Sequence, residues 1–114
     1  MSQKNPQVSI IIPTYNRSSF LQRAITSILN QTFDDFELII VDDCSIDDTE
    51  RVVADMNDDR IMYMKLESNF GAAAARNIGI KSARGQNIDF LDSDDEYLHN
   101  KLELHINKFQ ETTG

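Results

Sequence analysis

Three short polar clusters each follow an apolar run, and their residue types suit the binding of a phosphorylated ligand. The densest is Asp92-Ser93-Asp94-Asp95, which follows the run Asn87 to Leu91. Side chains alternate along an extended strand, so Asp92 and Asp94 can point to one side near its end. Crowded carboxylates repel and raise each other's pKa. A hard divalent cation removes that cost: Mg²⁺ or Mn²⁺ takes oxygen ligands, often one or two carboxylates completed by phosphate oxygens and water. Asp92 and Asp94 are therefore expected to ligate such a metal, which would act as a Lewis acid on a departing diphosphate. Capping competes with this role, because acids are also favoured in the first turn of a helix. Three acids within four residues are more than a cap requires.

Asp42-Asp43 closes a second apolar run, Phe36 to Val41. An acid at the end of a second strand often accepts hydrogen bonds from a ribose or base. The pair also precedes Ser45-Ile46-Asp47-Asp48, which carries turn and capping chemistry, so a turn role stays open. The third cluster, Pro13-Thr14-Tyr15-Asn16, follows Val8 to Ile12. Tyr15 could stack on a base and Thr14 could bond it. Alternatively, Pro13 ends a strand and Asn16 turns the chain. No G-x-G-x-x-G is present, which argues against a dinucleotide cofactor. Arg76, followed by Asn77, offers a planar fork suited to phosphate or carbonyl groups. A solvated helix charge is the competing role for Arg76.

These clusters need elements to position them. Val8 to Ile12 and Phe36 to Val41 read as strands buried on both faces. Ser18 is expected to cap a helix reaching about Gln31, with Leu21, Ala24, Ile25, Ile28 and Leu29 as its apolar stripe. A second helix carries Val52, Val53 and Met56, and Asn57-Asp58-Asp59 breaks it. Ile61 to Leu66 alternates enough to suggest a strand near a sheet edge. A third, alanine-rich helix runs from Ala72 to about Arg84, with Gly85 as its stop and alanines that let it sit close to the sheet. Asn87 to Leu91 is the fourth strand. Leu98, Leu102, Ile106 and Phe109 mark a last helix, and Thr112-Thr113-Gly114 a frayed end. The order β-α-β-α-β-α-β-α implies a parallel α/β sheet with right-handed crossovers and helices on both faces. In such a sheet ligands bind outside the carboxyl ends of the strands, where all three polar clusters fall.

The 114 residues fit one domain, and 40% apolar content suits a globular fold. With 19 acidic and 11 basic residues the formal net charge is −8. Nucleic acid is excluded as a partner, because no basic stripe exists to displace counterions. An anionic ligand would need a cation to mediate its binding. A single cysteine, Cys44, excludes an internal disulfide and suits a reducing compartment. The N-terminus lacks a signal peptide's apolar core, and no run is long enough to span a bilayer. The sequence therefore predicts a cytoplasmic chain. His99 and His105 read as surface residues rather than ligands.

Four stretches together resemble the family-2 glycosyltransferases with a GT-A fold: Val8 to Asn16, Leu38 to Ser45, Asn69-Phe70-Gly71 with Ala75-Arg76-Asn77, and Phe90 to Asp95. Gln31-Thr32-Phe33 is similar to the family as well. The resemblance implies a Rossmann-like sheet forming the N-terminal half of a GT-A domain over 1–114. It implies an enzyme that transfers sugar, usually with inversion, from a nucleoside-diphosphate sugar to a saccharide or lipid-linked acceptor. Thr14, Tyr15 and Asp42 or Asp43 would line the nucleoside pocket, alongside Pro13, Asn16 and Ser93. Arg76 would contact base or phosphates, and Asp92 and Asp94 match the family's D-x-D metal element for Mn²⁺ or Mg²⁺. Such enzymes take their general base from a half that follows the D-x-D strand, so this chain is expected to lack it. A non-catalytic nucleotide-binding fragment is one alternative reading. A phospho-accepting receiver domain is another, suggested by Ile40-Val41-Asp42-Asp43. Association through an exposed sheet edge, and work at the inner face of a membrane in a longer protein, are further expectations.

Overall fold

The structure, a computed structural model, describes residues 5–91. Its elements are β1 (Val8–Thr14), α1 (Ser18–Leu29), β2 (Phe36–Asp42), α2 (Thr49–Met56), β3 (Ile61–Lys65), α3 (Ala72–Ser82) and β4 (Asn87–Phe90). The four strands form one sheet in the order β3-β2-β1-β4, with every neighbouring pair parallel. The continuous apolar runs belong to β1 and β2, the central strands covered on both faces. Alternation sends their side chains into two cores. Ile10, Ile12, Leu38 and Ile40 meet Leu21, Ala24, Ile25 and Ile28 of α1 and Val53 of α2. Ile11, Ile39 and Val41 meet Ala75 of α3 on the other face. The alternating β3 is an edge strand, as its pattern predicts.

The chain steps outward from β1 to β3 and then crosses to the far side of β1. A reversal of that kind moves the crossover helix to the opposite face when crossovers keep one hand. Accordingly α3 lies across the sheet from α1 and α2. It lies close, because its inward residues are Ala75 and Gly79; a Cβ at Gly79 would stand 2.5 Å from Ile11 Cγ2.

The order excludes the receiver reading. Receiver-type sheets place β1 between β2 and β3, whereas here it lies between β2 and β4, as in nucleotide-binding α/β folds. Two terminal signals are also corrected. Ser18 does not cap α1 with its hydroxyl: Arg17 holds the cap position, and Ser18 N–H donates instead to Asp47 Oδ2 at 3.2 Å. Gly85 does not stop α3, which ends at Ser82 with extended Ala83 as its cap. Gly85 is required by close approach, because a Cβ there would stand 2.6 Å from Ser9 N. The last expected helix, 98–109, and the expected frayed end, 112–114, lie outside the described residues.

Candidate functional site

The carboxyl ends of β1 and β2 lie side by side, with Thr14 in register with Asp42. The loops that follow them are stitched together. Asn16 N–H donates to Ser45 Oγ at 2.8 Å, and Ile46 N–H donates to Asn16 Oδ1 at 2.8 Å. Asn16 does turn the chain, at φ +52°, and Cys44 is left-handed too, at φ +69°. Both conformations are uncommon outside glycine and persist when their surroundings hold them. Asp47 ties the same loops to the helices: its Oδ1 accepts from Thr49 N–H at 3.1 Å, beside its contact with Ser18. Burial opposes its charge, yet the hydrogen bonds from Thr49 and Ser18 outweigh that and hold the Asp47 carboxyl below its ordinary pKa.

Asp42 and Asp43 divide their work between the two faces. Asp42 is fully buried. Its Oδ1 accepts from Ser45 N–H at 2.9 Å and its Oδ2 from the Tyr63 hydroxyl. Asp43 reaches toward α3: its two oxygens accept from Phe70 N–H at 2.7 Å and Gly71 N–H at 2.9 Å. Among the described residues no lysine or arginine pairs with either carboxylate. The turn role that the sequence left open is therefore present at Asp42, whereas Asp43 holds the loop before α3.

Other sequence-marked residues face outward or lack partners. Tyr15 is 44% exposed and Asn16 is exposed. Thr14 is buried, and its Oγ1 has no hydrogen-bond partner among the described residues. A buried hydroxyl without a partner is uncommon and needs a reason, such as a ligand or water. Arg76 sits half-buried in the second turn of α3 and makes no hydrogen bond or ion pair among the described residues. Pro13 is half-buried at the end of β1. β4 brings the chain to this edge of the sheet, where Leu91 N–H donates to Ile11 O at 3.1 Å. Asp92, Ser93, Asp94 and Asp95 lie outside the described residues, and within those residues no acid, histidine or cysteine cluster could hold a metal ion.

Tyr63 and Glu37 are the polar side chains that sequence reasoning missed. Tyr63 looked like one more alternating strand residue. Glu37 interrupts a buried apolar strand, and that was its available signal, since a buried charge needs partners. A cleft of about 460 Å³ opens at the opposite edge, near Asp34, Phe36, Arg60 and Arg84. It lies at the amino ends of β2 and β3, away from the sequence-marked clusters.

Fold and strand-end loops define a Rossmann-like α/β unit of the GT-A type. The chain belongs to glycosyl transferase family 2, whose model matches residues 9–114. It is 41% identical over 108 residues to the putative teichuronic acid biosynthesis glycosyltransferase TuaG of Bacillus subtilis, covering 93% of this chain and 43% of that protein. It is 46% identical over 99 residues to the UDP-Glc:alpha-D-GlcNAc-diphosphoundecaprenol beta-1,3-glucosyltransferase WfgD of Escherichia coli, covering 87% of this chain and 39% of that protein. The chain thus spans less than half the length of these relatives. The structure of S. aureus TarS 1-349 in complex with UDP superposes with a TM-score of 0.87 at 33% identity, covering 92% of this chain and 32% of that one. A mannosyltransferase from Pyrobaculum calidifontis in complex with GDP-Man and Mn²⁺ gives a TM-score of 0.75 at 26% identity, covering 82% of this chain and 29% of that one.

Proposed function

We propose that this chain is the donor-binding part of a glycosyltransferase that moves a sugar from a nucleoside-diphosphate sugar to a saccharide or lipid-linked acceptor. The observation that carries the proposal is the switch point. β1 has β2 on one side and β4 on the other, and ligands of open α/β sheets bind outside the carboxyl ends of strands at that crevice. Among the described residues two sequence-marked groups lack partners: the buried Thr14 hydroxyl at the end of β1 and the half-buried Arg76 guanidinium of α3. The relative named for UDP-Glc and the solved complexes with UDP and with GDP-Man support this reading.

In it, Thr14 and Tyr15 receive the nucleoside, with Pro13 and Asn16 shaping the loop and Asp43 or Asp42 accepting from ribose or base. Arg76 contacts base or phosphate through its fork. Asp92 and Asp94, with Ser93 between them, would hold Mg²⁺ or Mn²⁺, and such a metal would supply Lewis-acid charge for the departing diphosphate. The Mn²⁺ complex of the mannosyltransferase supports that choice of metal. No described residue is assigned as the general base. Among the described residues no helix is long and apolar enough to cross a membrane. We place the work in the cytoplasm, at the inner membrane face when the acceptor is lipid-linked. The undecaprenol-linked acceptor in one relative's name supports this.

Thermal unfolding with UDP or GDP, with and without Mn²⁺, tests the donor site. A ligand that binds only the native state adds about 2.7 kcal/mol of stability at a hundredfold excess over Kd. A rise in Tm is expected with one nucleotide plus Mn²⁺. It should shrink in Arg76→Ala and lose its metal dependence in Asp92→Ala/Asp94→Ala. No rise with either nucleotide in the presence of metal overturns the proposal.

A further inference from the structure

Tyr63 stands on the edge strand β3, outside every cluster that the sequence marks for chemistry. A chain of hydrogen bonds nevertheless connects it to the loop after β1. Its hydroxyl donates to Asp42 Oδ2, and Asp42 Oδ1 accepts from Ser45 N–H at 2.9 Å. Ser45 Oγ accepts from Asn16 N–H, and Asn16 Oδ1 accepts from Ile46 N–H, each at 2.8 Å. The interior links are dry, with Asp42 at 0% exposure and Ser45 at 3%. Removing one partner of a buried carboxylate leaves a desolvated acceptor, which is more damaging than losing the bond alone. The loops at the end of this chain also need support, because Asn16 and Cys44 both sit at positive φ.

We propose that Tyr63 is a positioning residue for the donor site: through Asp42 and Ser45 it fixes the loop Pro13 to Asn16 against which a nucleoside binds. This rests on the donor-site reading given above. The tyrosine ring packs against the core shared by α1 and α2, a task that phenylalanine would perform equally well. Only the hydroxyl reaches Asp42. Burial first, then the hydrogen bond to Asp42 and its charge, push the Tyr63 pKa far above the ordinary tyrosine value. The hydroxyl therefore keeps its proton and remains a donor.

Tyr63→Phe removes that donor and keeps the ring. Two readouts are needed: residue-resolved amide hydrogen exchange, and UDP affinity by titration with Mn²⁺ present. Local opening is expected, so exchange at Asn16, Ser45 and Ile46 should speed by about tenfold more than at Ile10 and Leu38 in the central strands. UDP affinity should fall by roughly three- to tenfold, the range of one lost hydrogen bond. Ser45→Ala breaks the next link while leaving the bond between Tyr63 and Asp42 in place. It should reproduce the change at Asn16, and adding Tyr63→Phe to it should weaken UDP little further, because the two act in one chain. Equal acceleration at all amides, or none at the three loop amides in either variant, reduces Tyr63 to a packing residue and overturns the proposal. If the wild-type chain binds GDP instead of UDP, the same affinity changes are read with GDP; a wild-type chain that binds neither overturns the donor-site role, while the exchange pattern still decides whether Tyr63 holds the loop.

Discussion

Glu37 is a charged side chain at the start of the buried strand β2, and its partners come from both directions along the chain. The Ser9 hydroxyl on β1 donates to Oε2 at 2.5 Å. Arg84 donates its backbone N–H to Oε2 at 2.7 Å and its Nε to Oε1 at 3.1 Å. Gly85 N–H then donates to Ser9 Oγ at 2.8 Å, closing the turn between α3 and β4 onto the sheet. Burial disfavours the charged form, but the Ser9 hydroxyl and the Arg84 amide and guanidinium outweigh it, so the carboxyl titrates below its ordinary pKa. A depressed carboxyl contributes stability that is present above the unfolded value and lost as pH falls through the folded one. Urea unfolding of the wild type should therefore show this component fading on acidification below the ordinary glutamate range, and Glu37→Gln should lack it. At neutral pH the variant should be less stable by about 2 kcal/mol, the scale for a broken charge-assisted network. Gly85→Ala attacks the same corner sterically. Its methyl would meet Ser9 N at 2.6 Å and Val8 C at 2.7 Å, backbone atoms that cannot rotate away. A loss of about 2–3 kcal/mol is expected from overpacking, read as a lower urea midpoint at unchanged slope.

The elements themselves were legible because each has a pattern that packing does not override. Val8 to Ile12 and Phe36 to Val41 are apolar except at Ser9 and Glu37 and do not alternate, a pattern that suits strands covered on both faces. The stripe through Leu21, Ala24, Ile25 and Ile28 is the buried face of α1. Boundaries were less legible, because long-range partners set them. α1 begins where Asp47, from the loop beyond β2, accepts from Ser18 N–H, and no local capping rule contains that bond. Similarly, Asp42 and Asp43 were marked as strand-end acids, but their bonds to Tyr63, Phe70 and Gly71 depend on tertiary neighbours. α3 shows the same mixture. Its alanines announced close packing, whereas the closest approach falls at Gly79, opposite fully buried Ile11. Gly79→Ala gains roughly 1 kcal/mol of helix propensity and forfeits about 1–3 kcal/mol to overpacking. A net loss is therefore expected, with α3 lifted from the sheet. Combining it with Ile11→Ala should recover part of that loss, a coupling that a double-mutant cycle measures directly.

At the scale of the whole molecule the sheet has two unequal edges among the described residues. β3 carries Lys65 at its end and packs Ile61 and Tyr63 inward. β4 is shorter, and its pattern is inverted: Ile88 is 38% exposed and Phe90 41%, while Asn87 and Asp89 are half-buried. Register with Ser9 and Ile11 puts Ile88 and Phe90 on the face that α3 partly covers, where Ile80 is 40% exposed as well. An open edge beside exposed apolar side chains invites pairing with another chain. Opposing this is a net charge of −8, which repels like copies at long range and is screened by salt. Self-association should accordingly strengthen with ionic strength, since apolar contact is little affected while repulsion falls. Phe90→Lys should weaken it at every salt concentration, and because the side chain is already substantially exposed, Tm should change little. Light scattering across a concentration and salt series measures both effects. A chain that stays monomeric at high concentration and high salt would show that β4 is not an association edge, and Ile88 and Phe90 would then be isolated exposed residues of the kind that most soluble surfaces carry.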